Sequence, residues 1–95
     1  MFLIYNVFEK AVISVLGKDM VGILARVSTI CAQANANVVE VTQSIIDEYF
    51  AMYMMVDITD MNIELDKLRT NLKEGVKEME IHVMHEDIFN SMHRI

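Results

Sequence analysis

The chain has 95 residues, 54% of them hydrophobic, and a formal net charge of −6. That length fits one domain, and so apolar a composition in so small a domain leaves surface that a monomer does not bury, which points to oligomerisation. The acidic balance, with eight scattered basic residues, argues against a nucleic-acid partner, and a single cysteine excludes an internal disulfide.

Residues 1–10 read as an N-terminal extension and residues 11–95 as one domain. Met1 to Phe8 is apolar, but it is too short to span a bilayer and lacks the basic start and cleavage site of a secretory signal. An extra edge strand, a flexible arm and an upstream start codon are the alternatives for it. With one cysteine and no signal or membrane segment, the expected location is cytoplasmic, with no membrane partner.

Ala11 to Leu16 is a short β-branched run closed by Gly17, as in a strand buried on both faces. The period then changes. Ile23, Leu24, Val27, Ile30, Cys31 and Ala34 form one face of a helix, with Arg26, Thr29 and Gln33 off it. Asn35-Ala36-Asn37 ends that helix with residues that tolerate left-handed angles.

Val38 to Ile46 reads as a half-buried strand, Val39, Val41 and Ile45 on one face and Glu40, Thr42 and Ser44 on the other. Asp47-Glu48 turns the chain into Tyr49 to Ile58, whose Phe50, Met52, Met54, Val56 and Ile58 share a face. Asp60 and Asn62 are cap-type residues before a second helix carrying Leu65, Leu68 and Leu72, with Gly75 as its stop. Met79, Ile81 and Val83 mark a fourth strand. Ile88, Phe89, Met92 and Ile95 mark an amphipathic C-terminal helix over residues 86–95, with Glu86 and Asp87 at its positive end.

This order predicts an α+β, ferredoxin-like βαββαβ sandwich: a four-stranded antiparallel sheet, two helices on one face, and a short C-terminal helix. The strands beginning at Ala11 and Tyr49 are the most apolar and should be central.

Fold alone does not give function. The turn from Gly17 to Gly22 does more, because it delivers the chain to the N-terminus of the first helix. Amides and dipole there suit a carboxylate or phosphate, and Asp19 can accept an ammonium group, a pairing that suits a free amino acid. The structural alternative is that Asp19 caps the helix and Gly22 permits close packing.

Other constellations are weaker. His82 and His85 sit three apart on a strand and point to opposite faces, His93 lacks helical ligand spacing, and no metal site is expected. Cys31 lies in the helix's apolar stripe, without a basic partner, and reads as packing. The nine methionines read as core and interface filling. An RNA-recognition surface needs aromatics on both central strands; Tyr49 and Tyr53 supply one half, and Ala11 to Leu16 supplies none. An acyl-phosphatase reading lacks an arginine in the first turn, where Lys18 is a weak substitute. No catalytic residue and no cofactor are expected.

Gly17-Lys18-Asp19-Met20-Val21-Gly22-Ile23-Leu24, followed by Val27-Ser28 and by Ala34-Asn35-Ala36-Asn37-Val38, resembles the signature of the ACT domain. From Ala11 to Ile95 the chain is similar to short single-ACT-domain proteins that end in His-Glu-Asp-Ile-Phe-Asn, here His85 to Asn90. The resemblance implies a homodimer that binds a small ligand, usually an amino acid, at a domain interface and modulates a partner protein without catalysis. It implies ligand contacts at Asp19, Met20, Val21, Gly22 and Ile23, with Asn35 and Asn37 closing the site. Many ACT turns carry proline where this chain has Val21, so the turn here is less fixed and keeps one more backbone donor. The alternative function is a protein-interaction module that needs no ligand.

Overall fold

The computed structural model describes residues 9–18 and 21–92. Met1 to Phe8, Asp19, Met20, His93 and Ile95, each given a role above, lie outside the described residues. The elements run β1 (Lys10–Gly17), α1 (Ile23–Gln33), β2 (Asn37–Ile46), β3 (Tyr49–Asp57), α2 (Leu65–Gly75), β4 (Glu80–His85) and α3 (Glu86–Met92). The strands form one antiparallel sheet in the order β2-β3-β1-β4. The ferredoxin-like sandwich is therefore the observed fold, and the two most apolar strands are its central pair.

One face of the sheet carries the core. Ala11, Ile13 and Val15 of β1, the even-numbered residues Phe50 to Val56 of β3, and Ile81 and Val83 of β4 pack with α1 and α2. Those helices bring Ile23, Val27 and Cys31 from one side and Leu68 and Leu72 from the other, all buried. Leu24 stands about 100° around the helix from Ile23 and stays exposed, so the apolar stripe is narrower than its sequence suggests. The α1 helix packs beside β2, and α2 packs beside β4.

The β2–β3 hairpin closes as expected through Asp47 and Glu48, with Ile46 paired to Tyr49 and Asp47 at φ 60°. Four other expectations are corrected. The β2 strand is not half-buried: only Val41 is partly covered, because this is an edge strand with one neighbour in the sheet. Val39 does not continue the Val41–Ile45 face, since a bulge between Val38 and Glu40 breaks the alternation there.

Asp60 and Asn62 do not cap α2. The residue in that position is Glu64, which makes no side-chain cap bond. Asn62 instead ties the loop to the end of α1, its backbone amide donating to the Ala34 carbonyl at 3.0 Å and its side-chain amide to Gln33 O at 3.2 Å. Gly75 is the last helical residue and has no left-handed φ; a Cβ on it would lie 2.6 Å from Ile30 Cδ1, so its work is close packing against α1.

At the far end of β1, the Glu9 amide donates to Thr59 Oγ1 (2.7 Å), and the Thr59 amide donates to Asp57 Oδ1 (2.9 Å). The Thr59 side chain and amide, bonded to the charged carboxylate, hold the Asp57 pKa below its ordinary 3.8. A depressed carboxylate pKa contributes stability that is present above the unfolded-state value and is lost as pH falls through the folded-state value. The stability difference between the parent and the Thr59→Val variant should therefore shrink from pH 6 to pH 2, leaving the part owed to the bond from the Glu9 amide. A constant difference across that range would count against the linkage.

Candidate functional site

The β1 strand ends at Gly17, where a Cβ would sit 2.0 Å from Met79 Sδ, so glycine lets the buried Met79 cover the strand end. Lys18 then leaves the sheet and reaches the hairpin tip, its Nζ 3.1 Å from Glu48 Oε2 and 5.7 Å from the centre of the Tyr49 ring. This tether between the first turn and the β2–β3 hairpin was not foreseen in the sequence. Lys18 lies inside the motif, but its partner is thirty positions away.

Gly22 is the N-cap of α1, with φ 74° and ψ 2°. A Cβ there would meet nothing within 4 Å, so glycine is required by the backbone angle and not by close packing. The first intrahelical bond runs from the Arg26 amide to Gly22 O at 3.0 Å, which leaves the amides of the first turn pointing out of the helix. No acidic residue occupies this first turn. The other two helices differ: α2 carries Asp66 and α3 carries Glu86 and Asp87 at the same place. The positive end of α1 is the one without a carboxylate of its own among its first-turn residues.

The implied contact residues separate by role. Val21 is 83% exposed beside Gly22. Ile23 is buried in the core, so only its backbone amide is available to a ligand. Asn35 and Asn37 stand at the other end of α1, about 16 Å from Gly22 for an eleven-residue helix. One chain does not bring them together with the glycine turn. Asn35 takes the left-handed φ of 60° that the sequence suggests, and its side-chain amide donates to Asp60 O at 2.8 Å. Asn37 opens β2 and is exposed.

The sheet's two edges are unlike. The β4 strand is short, carries Glu80, His82 and His85, and is further closed by Arg69 of α2, whose Nε and Nη2 donate to the Val83 carbonyl at 3.2 and 2.7 Å. Arg69 also pairs with Asp66. The β2 strand has ten residues, one charge (Glu40) and no proline, and it exposes Val38, Val39, Ile45 and Ile46, the last by 67%. Long, weakly charged edges of this kind are templates for pairing, whereas short charged ones are protected.

Cys31 is fully buried, and burial pushes its thiol up to about 11, so it packs and does not react. His82 and His85 face opposite sides of the sheet. His82 stands across from Ser14 and meets Glu80 Oε2 at 2.9 Å, while His85 Nδ1 accepts the Asp87 amide at 3.1 Å at the start of α3. No group of three His, Cys, Asp or Glu side chains among the described residues is placed to hold a metal ion. No helix among them is long and apolar enough to cross a membrane.

A ferredoxin-like sandwich whose first helix starts on a left-handed glycine is the frame of a small α+β domain. Known proteins narrow that class. The ACT domain family profile matches residues 9–86. A UPF0237 protein of Listeria innocua is 46% identical over 88 residues, covering 90% of this chain and 99% of that protein. The solved structure of an ACT domain protein from Streptococcus pneumoniae superposes with a TM-score of 0.75 at 32% identity, covering 85% of this chain and 93% of that one. The regulatory subunit of aspartate kinase from Thermus thermophilus shares the fold, with a TM-score of 0.59 at 22% identity over 79% of this chain and 50% of that one. The chain belongs to the ACT domain family.

Proposed function

We propose that this ACT domain is a cytoplasmic, non-enzymatic sensor of a free amino acid, bound where two copies pair through their β2 edges, and that occupancy modulates a separate protein. The observation that carries the reading is Gly22: its left-handed angle starts α1 with a first turn that contributes no carboxylate. A ligand carboxylate bonded to the Gly22 and Ile23 amides supplies the missing negative charge. The ligand's ammonium group is assigned to Asp19, and its remaining contacts to Met20 and Val21.

Pairing accounts for the two ends of α1. The β1 and β2 strands run parallel, and α1 runs back between them above the sheet. A two-fold axis between antiparallel β2 edges sets α1 antiparallel to its copy. Gly22 of one subunit then faces Asn35 and Asn37 of the partner subunit, which are too far away within one chain. Such an isologous contact uses the open edge and leaves the Arg69-covered edge alone. A ligand held across it favours the paired arrangement, and that preference is the signal passed to the regulated protein.

Thermal unfolding with each common amino acid at millimolar concentration tests the reading. Ligand at ten times its Kd adds about 1.4 kcal/mol of stability, about 6–11 °C in Tm for a domain of this size. If no amino acid raises Tm, the sensing function fails; a protein that co-purifies without any ligand response then supports the interaction-module reading.

A further inference from the structure

We propose a second binding site, on the sheet face away from α1 and α2, that takes a small amphipathic molecule with an uncharged hydrogen-bonding head. The α3 helix folds over that face, and its Phe89 lies with Val12, Tyr53 and Met55 at one cavity and with Val12, Ser14 and His82 at another. The second cavity has a volume of about 290 Å³, near the lower end for small-molecule pockets.

The strand register sorts this face into rows. Met55, Val12 and Met84 are cross-strand neighbours on β3, β1 and β4, and they make an apolar floor under Phe89 and Met92. Two residues along, Thr42, Tyr53, Ser14 and His82 form one row across all four strands. Every member of that row ends in a hydrogen-bonding group. Side chains two apart on a strand share a face, so the polar row borders the apolar floor directly. A molecule lying across the two rows meets methionine, valine and phenylalanine at one end and hydroxyl groups at the other.

Charge settles the head group. His82, the one ring in the row able to carry a proton charge, is engaged by Glu80 at 2.9 Å. Glu40 stands at the rim of the adjoining cavity. Two carboxylates at the border, and no lysine or arginine among the described residues that line either cavity, disfavour an anion. An alcohol, phenol or amide fits. This site is independent of the Gly22 turn, which lies beyond the opposite face.

The test is a titration of the full chain with 2-naphthol and, separately, with 2-naphthoate, followed through backbone amide and methyl resonances. The expected result is that 2-naphthol moves the Val12 and Met84 methyls with the Ser14 and His82 amides, and binds at least tenfold more tightly than the anion. Ser14→Leu fills the cavity and weakens binding tenfold or more. Tyr53→Phe removes one hydroxyl without changing shape and weakens it severalfold. Circular dichroism checks that both variants remain folded. The proposal is overturned if shifts are confined to Gly22 and Ile23, if 2-naphthoate binds as well, or if Ser14→Leu binds undiminished. It is equally overturned if the open face does not respond because a second copy or another part of the chain covers it.

Discussion

The Gly22→Val variant should lose its response to amino acids altogether and unfold with about 1–2 kcal/mol less stability, the cost of one left-handed residue. The loss is conformational and not steric, because a Cβ at this position meets nothing within 4 Å. A β-branched residue at φ 74° either pays that strain or moves the chain to another angle. Moving it re-aims the first amides of α1, which are the groups assigned to the carboxylate. Gly22→Asn is the control, since asparagine visits this region more readily; it should keep most of the stability and a weakened response. If valine were as stable and as responsive as glycine, the turn would have no part in binding.

Pairing should be equally sensitive to one charge on the open edge. Ile45 is 59% exposed in the single chain. Burying an isoleucine is worth about 1.5–3 kcal/mol, and a two-fold contact counts each substitution twice. Allowing for the part already covered, Ile45→Lys should weaken the dimer by about 2–4 kcal/mol, roughly thirtyfold to several-hundredfold in Kd. The monomer should change by less than about 0.5 kcal/mol, as for a typical surface position. Sedimentation equilibrium at several concentrations reads the first quantity, and denaturant unfolding of the dilute protein reads the second. The same substitution made on β4, at His82, should leave association unchanged. A dimer indifferent to Ile45→Lys would place the contact elsewhere.

Local chemistry was the part of this chain that could be read in advance. The change from a β-branched run to a helical period after Gly17, the left-handed Asn35 and the Asp47-Glu48 hairpin each rest on neighbouring residues, and each appears in the fold. The central pairing of β1 with β3 followed from their apolar content. What escaped depends on residues far apart in sequence. The Arg69 bonds to Val83 O, the Lys18 pairing with Glu48 and the approach of Ile30 to Gly75 are tertiary, and no local pattern announces them. Asp60 and Asn62 misled because cap-type residues also sit in loop ties: here Asp60 accepts from Asn35 through its backbone carbonyl, and Asn62 donates to Gln33 O through its side chain. The bulge at Val39 carries no glycine to mark it.

The candidate site was legible in part. The sequence pointed to the turn; the φ of Gly22 explains why a glycine stands there, and Ile23 is claimed by the core through its side chain. The separation of Gly22 from Asn37 was not visible, since a motif spans both without stating the length of helix between them. That separation makes the two-subunit site the central claim. Its most direct test is amide chemical-shift mapping of the full-length protein with the amino acid that raises Tm most. The Gly22, Ile23 and Asn37 amides should shift together along one binding curve, although about 16 Å of helix divides them in each chain. Saturation by an amino acid that leaves Gly22 and Asn37 unmoved, or that moves Gly22 alone, would contradict a site shared between two subunits.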